Sequence, residues 1–291
     1  MKFRAHETFS VRKGWLNKGM KQITTDPALF VTKEKNPMDV LGIGSNMVKS
    51  LRYWLPAVGL TSSPKGRGLQ YLTDLGEIIY KNDPYIEELG TLWLLHYNLV
   101  KKIDLATSWY FFFNHFHLSE FGKDDFTLAL SNFIKINGAP EPPIRSLEGD
   151  FNCIISTYMP RYKTAPEKDD PESNMECPFS ELGLIDFQNR QARLYRKLIP
   201  AAHTIDPLIA TAVIIDNASG KTEIPLSELQ NSCGNIGKVF NLDAITLLTV
   251  LNAAEREGYV KVVRTAGLDL LHITTDYTYL QCIEEYYNHL S

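Results

Sequence analysis

Gly42-Ile43-Gly44-Ser45-Asn46-Met47-Val48-Lys49-Ser50-Leu51-Arg52-Tyr53-Trp54-Leu55-Pro56-Ala57-Val58-Gly59 is the stretch on which the fold assignment turns. Met47, Leu51, Trp54, Leu55 and Val58 recur at the spacing of one helix face, so the segment reads as an amphipathic helix. Gly42 and Gly44 bracket a tight turn before it, and Met38–Leu41 reads as the end of a preceding helix. Ser45 is the expected N-cap, its hydroxyl accepting from the backbone amides of the first turn. Gly59 suits a left-handed helix end. Pro56 lacks an N–H, so the helix should kink or stop near it. Ser62-Ser63-Pro64-Lys65-Gly66-Arg67-Gly68 then reads as a basic, turn-rich loop running into a strand over 69–72. Helix, turn, helix, basic hairpin is winged-helix order.

Opposite the apolar stripe, Asn46, Lys49, Ser50 and Tyr53 fall at i, i+3, i+4 and i+7, with Ser45 and Arg52 beside them. A helix in the major groove uses such side chains: Asn pairs with adenine, Lys and Arg reach guanine or phosphate. Lys65 and Arg67 would grip the neighbouring backbone. The competing reading is a solvated face next to an incidental loop.

Charge favours the first reading. The 291-residue chain carries a net charge of −4, but unevenly. Residues 1–82 hold thirteen Lys or Arg against six Asp or Glu, while the remainder holds seventeen against twenty-eight. A basic third on an acidic body orients a molecule toward a polyanion such as double-stranded DNA. The apolar content is that of an ordinary globular protein. No apolar run long enough for a membrane span or a signal peptide is visible, and the four cysteines lack C-x-x-C spacing. A reducing, cytoplasmic setting with no membrane contact is therefore expected.

The chain divides into a motif segment (1–37), the basic winged-helix unit (38–82), a helical aromatic-rich middle (83–200) and a C-terminal unit (201–291). In the middle, 85–99 and 105–117 read as core helices, and 164–178 as an acidic surface loop. After residue 201 the winged-helix order returns: a helical run at 204–215, a segment over 225–231, a turn at 232–237, a helix over 243–257 ended by Gly258, and strands 259–264 and 268–274. The helix over 243–257 presents Asp243, Thr246, Thr249, Asn252 and Glu255, so this unit reads as a partner surface. The expected fold class is mainly α with small β wings (α+β), with winged helix-turn-helix units flanking a helical middle.

His6-Glu7-Thr8-Phe9, with Arg12, Lys13, Trp15 and Lys18, forms a second constellation. As part of a short strand within 3–19, His6 and Thr8 would share one face and Glu7 the other. An imidazole takes up a proton near neutral pH, and a carboxylate can hold a divalent cation, Mg²⁺ or Mn²⁺. His6 and Glu7 are therefore candidates for water activation in strand nicking, with Arg12, Lys13 and Lys18 on phosphate. The bland alternative is that His6 and Glu7 only satisfy buried backbone groups. Asp83, Glu87 and Asp104 are the next carboxylates in line. His115 and His117 do not share a helix face, and Cys153 and Cys177 read as structural. P-loop, G-x-S-x-G, H-E-x-x-H and the usual acidic nuclease signature ending in E-x-K are missing, which argues against the common forms of those enzymes.

Four blocks of sequence carry a family resemblance. They are His6-Glu7-Thr8-Phe9-x-x-Arg12-x-Gly14-Trp15-Leu16-x-Lys18, Leu41-Gly42-Ile43-Gly44-x-Asn46-Met47-Val48-x-Ser50-x-Arg52-Tyr53-Trp54-Leu55, Asp83-Pro84-Tyr85-x-Glu87-x-x-Gly90-Thr91-Leu92-Trp93-Leu94-Leu95-His96, and Pro178-x-x-Glu181-Leu182-Gly183-Leu184-Ile185. Together they resemble a bacterial family first labelled as a domain of unknown function and linked to DNA phosphorothioation operons. Within it, the likeness is to the nicking subunit of Ssp-type systems, which place sulfur in one DNA strand as part of phage defence. The resemblance implies DNA binding, strand nicking, and partnership with a reductase-like sulfur-transferring protein and an ATPase. A non-catalytic adaptor that reads DNA and recruits those partners is the rival expectation.

Overall fold

A computed structural model describes residues 1–64, 66, 68–160, 177–265 and 268–290 of the chain. Lys65, Arg67, most of the acidic loop expected at 164–178, and Ala266-Gly267 of the C-terminal hairpin lie outside the described residues.

The first helix, α1 (Trp15–Thr25), buries Trp15, Leu16, Met20 and Ile23 on one side. The strand expected within 3–19 is not formed. Residues 4–8 are a succession of turns, with Arg4, Glu7 and Thr8 at positive φ of 51°, 50° and 71°. Such backbone costs a non-glycine residue roughly 1–2 kcal/mol, and side-chain contacts described below hold it in place. Helix α2 (Pro37–Leu41) is capped by Asn36, whose side chain accepts from the Met38 amide, and ends at Gly42 in the left-handed region. Helix α3 (Ser45–Ala57) follows, with Gly44 and not Ser45 at its N-cap, and no side-chain cap bond. Pro56 lies in the last turn, where it leaves the Arg52 carbonyl without its usual i+4 donor. The buried Gln70 side chain supplies one instead, Nε2 to Arg52 O at 2.8 Å, and Gln70 Oε1 accepts from Thr61 Oγ1 at 3.2 Å. The missing bond thus ties α3 to a small antiparallel hairpin, β1 (Thr61–Ser62) and β2 (Tyr71–Leu72), paired Thr61 to Leu72 and Ser62 to Tyr71.

Helix α4 (Asp74–Asn82) is capped by the Thr73 hydroxyl. The helix expected from 85 begins only at Leu89, because Ile86 is left-handed and the buried Asp83 carboxylate accepts from the amides of Glu87 and Glu88 at 2.9 and 3.0 Å. Helices α5 (Leu89–Val100) and α6 (Thr107–Asn114) are buried almost all round and form the centre of the molecule. A short strand β3 (Glu120–Phe121), then α7 (Lys123–Ile136) and α8 (Ile144–Tyr158), enclose a phenylalanine cluster. A 3₁₀ turn at Pro178–Leu182 leads to β4 (Ile185–Asn189) and β5 (Leu194–Lys197), and the sheet order is β3-β5-β4. Lys197 Nζ donates to the carbonyls of Phe112 and Phe116 at 2.6 Å each, a cationic cap on the C-terminal end of α6.

The last unit runs α9 (Pro207–Ala218), β6 (Glu223–Pro225), α10 (Leu226–Asn231), α11 (Ile236–Val239), α12 (Ala244–Arg256), β7 (Val260–Thr265), β8 (Leu268–Ile273) and α13 (Tyr279–Leu290). Its antiparallel sheet has the order β6-β8-β7. Asp206 and Asp243 cap α9 and α12 through their side chains. Helix α13 turns back onto α9 and α5. Gly90 lets it come close, since a Cβ there would lie 2.4 Å from the Tyr286 ring, and the Gly90 amide donates to Tyr286 Oη at 3.1 Å. The fold is thus mainly helical with three small antiparallel sheets, an α+β arrangement. Among the described residues no single helix is long and apolar enough to cross a membrane. Cys153, Cys177 and Cys282 are buried; Cys233 is exposed.

His96, on α5, gives the fold a pH dependence. It is fully buried, with Nε2 2.6 Å from Val239 O and Nδ1 2.8 Å from Tyr158 Oη, so the carbonyl fixes the proton on Nε2 and the tyrosine donates to Nδ1. Burial pulls its pKa from 6.5 down to about 4. The unfolded chain therefore takes up this proton first. The contribution of His96 is complete above pH 6.5 and shrinks as the pH falls toward 4, by an amount on the order of 3 kcal/mol. Urea midpoints measured between pH 7 and 4.5 should fall more steeply for the parent than for His96→Gln. Parallel slopes would assign the loss to other groups.

Candidate functional site

The amino-terminal turns are fastened to the core through a buried carboxylate. Asp150 projects from α8 on the same side as Leu147, Phe151 and Ile154, and is 1% exposed. Its Oδ1 lies 2.8 Å from His6 Nε2 and accepts from the Arg4 amide at 2.8 Å; its Oδ2 accepts from Ser108 Oγ. The Thr8 amide donates to His6 Nδ1 at 3.1 Å, which places the imidazole proton on Nε2, facing Asp150. Trp109 packs edge-on against the His6 ring at 5.5 Å, with Trp54 and Tyr53 nearby. Phe9 O accepts from Trp54 Nε1 at 2.9 Å and from Ser50 Oγ at 3.5 Å. The Tyr53 hydroxyl's pKa is raised by burial and by the charge of Asp150.

His6 is therefore sealed, with no exposed surface and both nitrogens engaged. Glu7 is half-buried on the adjoining turn. Arg12 lies beneath the rings of Phe9 and Trp15, 5.5 and 5.3 Å from their centroids. Lys13 and Lys18 are exposed, and Lys18 Nζ reaches Leu41 O at 3.4 Å. On α3 the expected outward face is only partly outward. Ser45, Asn46, Lys49 and Arg52 are exposed, and Lys49 Nζ lies 3.4 Å from Asn46 Oδ1. Ser50 and Tyr53 are buried against the amino-terminal turns, a correction to the outward face expected of them. The helix is covered on two sides because residues 1–9 fold across it.

That covering segment forms one wall of a cleft of about 800 Å³ between α3, the β1–β2 hairpin, the α5–α6 connection and the start of α13. Lys2, Lys49, Arg52 and Lys102 line it together with Asn98 and Tyr279, and among the described residues no Asp or Glu does. The Lys2 amide donates to Thr107 Oγ1 at 2.7 Å, and its ammonium sits 5.3 Å over the Tyr53 ring. Gly68 has φ +73°, and a Cβ on it would stand 2.6 Å from Arg52 Nη2; only glycine lets the guanidinium lie so close under the hairpin loop. Four cations in one concavity without an internal counter-charge make a site for a polyanion.

Lys2 and Lys102 are legible in sequence only as contributions to the charge balance. Asp150 had a signal: a carboxylate on the apolar stripe formed by Leu147, Phe151, Ile154 and Tyr158. Among the described residues, no three His, Cys, Asp or Glu side chains converge to hold a metal ion. Asp150 already has its oxygens occupied, and Asp83 is committed to a turn.

Known proteins agree with this arrangement at the level of the fold. The family described as "Protein of unknown function (DUF4007)" matches residues 3–287. No curated protein matches the chain in sequence. A crystal structure of SspB with magnesium bound is similar over 99% of this chain and 88% of its own, at 27% identity and a TM-score of 0.85. Another SspB crystal structure gives 28% identity over the same shares, with a TM-score of 0.84.

The sealed network makes a prediction that separates folding from chemistry. His6→Ala strips a hydrogen-bond donor from a buried carboxylate, a loss of about 2–4 kcal/mol. Its melting temperature should drop by roughly 5–10 °C, whereas Glu7→Gln should melt within about 2 °C of the parent. A His6→Ala variant that melts like the parent yet loses every DNA-directed activity would return His6 to a chemical role.

Proposed function

This chain belongs to the DUF4007 family, and we propose that it is the DNA-engaging component of an Ssp-type phosphorothioation system, gripping duplex DNA in the cleft beside α3. The observation that carries the reading is the set of four cations, Lys2, Lys49, Arg52 and Lys102, in a concavity with no carboxylate among its described lining residues. The likeness to SspB points to the Ssp system.

In this reading α2, α3 and the β1–β2 hairpin act as a winged helix. Ser45, Asn46 and Lys49, on the exposed N-terminal half of α3, meet base edges; Arg52, Lys2 and Lys102 hold phosphates. Lys13 and Lys18 extend the basic surface, and Lys65 and Arg67, which follow β1 in the sequence, add their charge to the grip on DNA in this proposal. Ser50 and Tyr53 support α3 from behind. The C-terminal unit repeats the order with the Asp243 carboxylate capping α12 and no Lys or Arg in that helix's first turn, and serves as the surface for the reductase-like and ATPase partners. The setting is cytoplasmic.

Nicking of one strand is the activity that would expose a phosphate for sulfur insertion. The SspB crystallised with magnesium supports a divalent cofactor. Among the described residues no three His, Cys, Asp or Glu side chains converge to hold such an ion. With His6 sealed, the arrangement of the His6–Glu7 segment favours the second reading, a DNA-holding adaptor in which His6 positions the amino-terminal wall of the cleft. Incubating purified chain with supercoiled plasmid and Mg²⁺ or Mn²⁺ separates the two: relaxation supports intrinsic nicking, and intact supercoils with retained binding support the adaptor.

Binding itself is tested by Lys49→Glu with Arg52→Glu. The pair should raise the Kd for duplex DNA more than tenfold and make its log–log salt slope shallower by about 1, for the phosphate held by Arg52. Unchanged affinity in the folded double variant would overturn the assignment of the cleft.

A further inference from the structure

A second concavity, of about 300 Å³, opens where the α6–β3 connection, the end of β5 and α11 meet. Phe113 and Phe116 form its apolar floor, and His117, Lys197 and Lys238 bring basic groups to it from three separate segments. No Asp or Glu is among the described residues that line it.

The charges around this cavity act against one another. Lys197 is half-buried, and its pKa is pulled down from 10.5 to about 7, first by burial and then by Lys238. His117 is lowered by burial, Lys238 and Lys197. Neighbouring His115 is lowered by burial, His117 and Lys238. The neighbouring charges that act on these three groups are all positive. With Lys197 and Lys238 half-buried and His117 exposed at the mouth, such a like-charged cluster is relieved when an anion enters, because the charged form of each base then gains a partner.

Capping of α6 explains part of the arrangement. Lys197 Nζ sits 2.6 Å from both Phe112 O and Phe116 O, and 4.4 Å from the centroid of the Phe112 ring. This accounts for two of the three ammonium hydrogens; among the described residues no third acceptor is bonded to it. Nor does capping explain why Lys238 and His117 share the same cavity with no carboxylate to balance them. Three donors approaching from three segments suit a tetrahedral oxyanion better than a monatomic ion. The volume exceeds that of the bare ion and leaves room for an ester group attached to it.

We propose that the cavity lined by His117, Lys197 and Lys238 is a phosphate-binding site, separate from the cleft beside α3. Its phosphate comes either from a small molecule, free phosphate or a nucleotide, or from a DNA backbone. The shared chemistry is a tetrahedral oxyanion that accepts hydrogen bonds from Lys197, Lys238 and a protonated His117.

The test uses the full chain and two double variants, His117→Gln with Lys238→Gln, and Lys49→Glu with Arg52→Glu. The first pair spares Lys197, so α6 keeps its cap. Inorganic phosphate is titrated against each protein at constant ionic strength set by chloride, and binding is read by calorimetry and by melting temperature. Phosphate should bind the parent and stabilise it beyond chloride. His117→Gln with Lys238→Gln should weaken that binding at least tenfold, while the α3 pair should leave it unchanged. Duplex binding by the His117/Lys238 pair then identifies the source. A parallel drop of tenfold or more assigns the phosphate to a DNA backbone, and unchanged DNA affinity assigns it to a small molecule. The proposal is overturned if phosphate does no more than chloride, if the His117/Lys238 pair binds it as the parent does, or if the α3 pair abolishes it instead. Because the α3 pair reports on the first cleft alone, its DNA affinity can fail while the second site stands, and the reverse.

Discussion

A carboxylate buried in the middle of the molecule holds the amino-terminal end of the chain where the rest needs it. Asp150 accepts from His6, Ser108 and the Arg4 amide, so α8, α6 and residues 1–9 meet at one side chain. Removing a carboxylate from water is expensive unless its oxygens are satisfied, and here three donors offset that loss. The same bonds keep Arg4, Glu7 and Thr8 in left-handed conformations that they would not hold alone. The strain is local, and the anchor is shared by three elements.

From that anchor the cleft follows. The fastened turns carry Lys2 and Ala5 to its wall and bring Phe9 O to Trp54, which sets how α3 sits against the core. Pro56 and Gln70 do the corresponding work at the other end of α3, where the carbonyl freed by the proline is claimed by the hairpin. Helix α3 is thus clamped at both ends, and its exposed residues, Ser45, Asn46, Lys49 and Arg52, are presented from a rigid support. Rigid presentation lowers the entropy lost when such side chains engage a ligand.

The two cationic concavities differ in kind. Beside α3 the basic groups are exposed, so their attraction for a polyanion is long-ranged and falls with salt. Around Lys197 the groups are fewer and, His117 apart, half-buried; desolvation first and their mutual repulsion second hold back protonation of Lys197 and His117. Exposed charge recruits a large anion from a distance; a smaller, partly desolvated concavity admits only a small group. An acidic body elsewhere in the chain sharpens both, because it keeps anions from binding without preference over the surface.

Periodicity and turn chemistry were enough to locate the helices at 45–57 and 244–256, the hairpins after each, and the aromatic middle, because those signals are local and repeat every few residues. The charge balance likewise placed the basic surface in the first third. What the chain's order could not reveal is set by contacts between residues far apart in it. Nothing near His6 announces Asp150, and the alternation of residues 3–9 reads as a strand until a buried partner turns it. Ser50 and Tyr53 read as outward until residues 1–9 cover them. Lys102 and Tyr279 join Lys2 only because α5, α6 and α13 converge there. Local pattern decided which elements form and which faces are apolar. Tertiary packing decided which polar side chains are sealed, which stay open, and which distant cations share a cavity, because desolvation depends on what lies above a residue and not on what lies beside it in sequence.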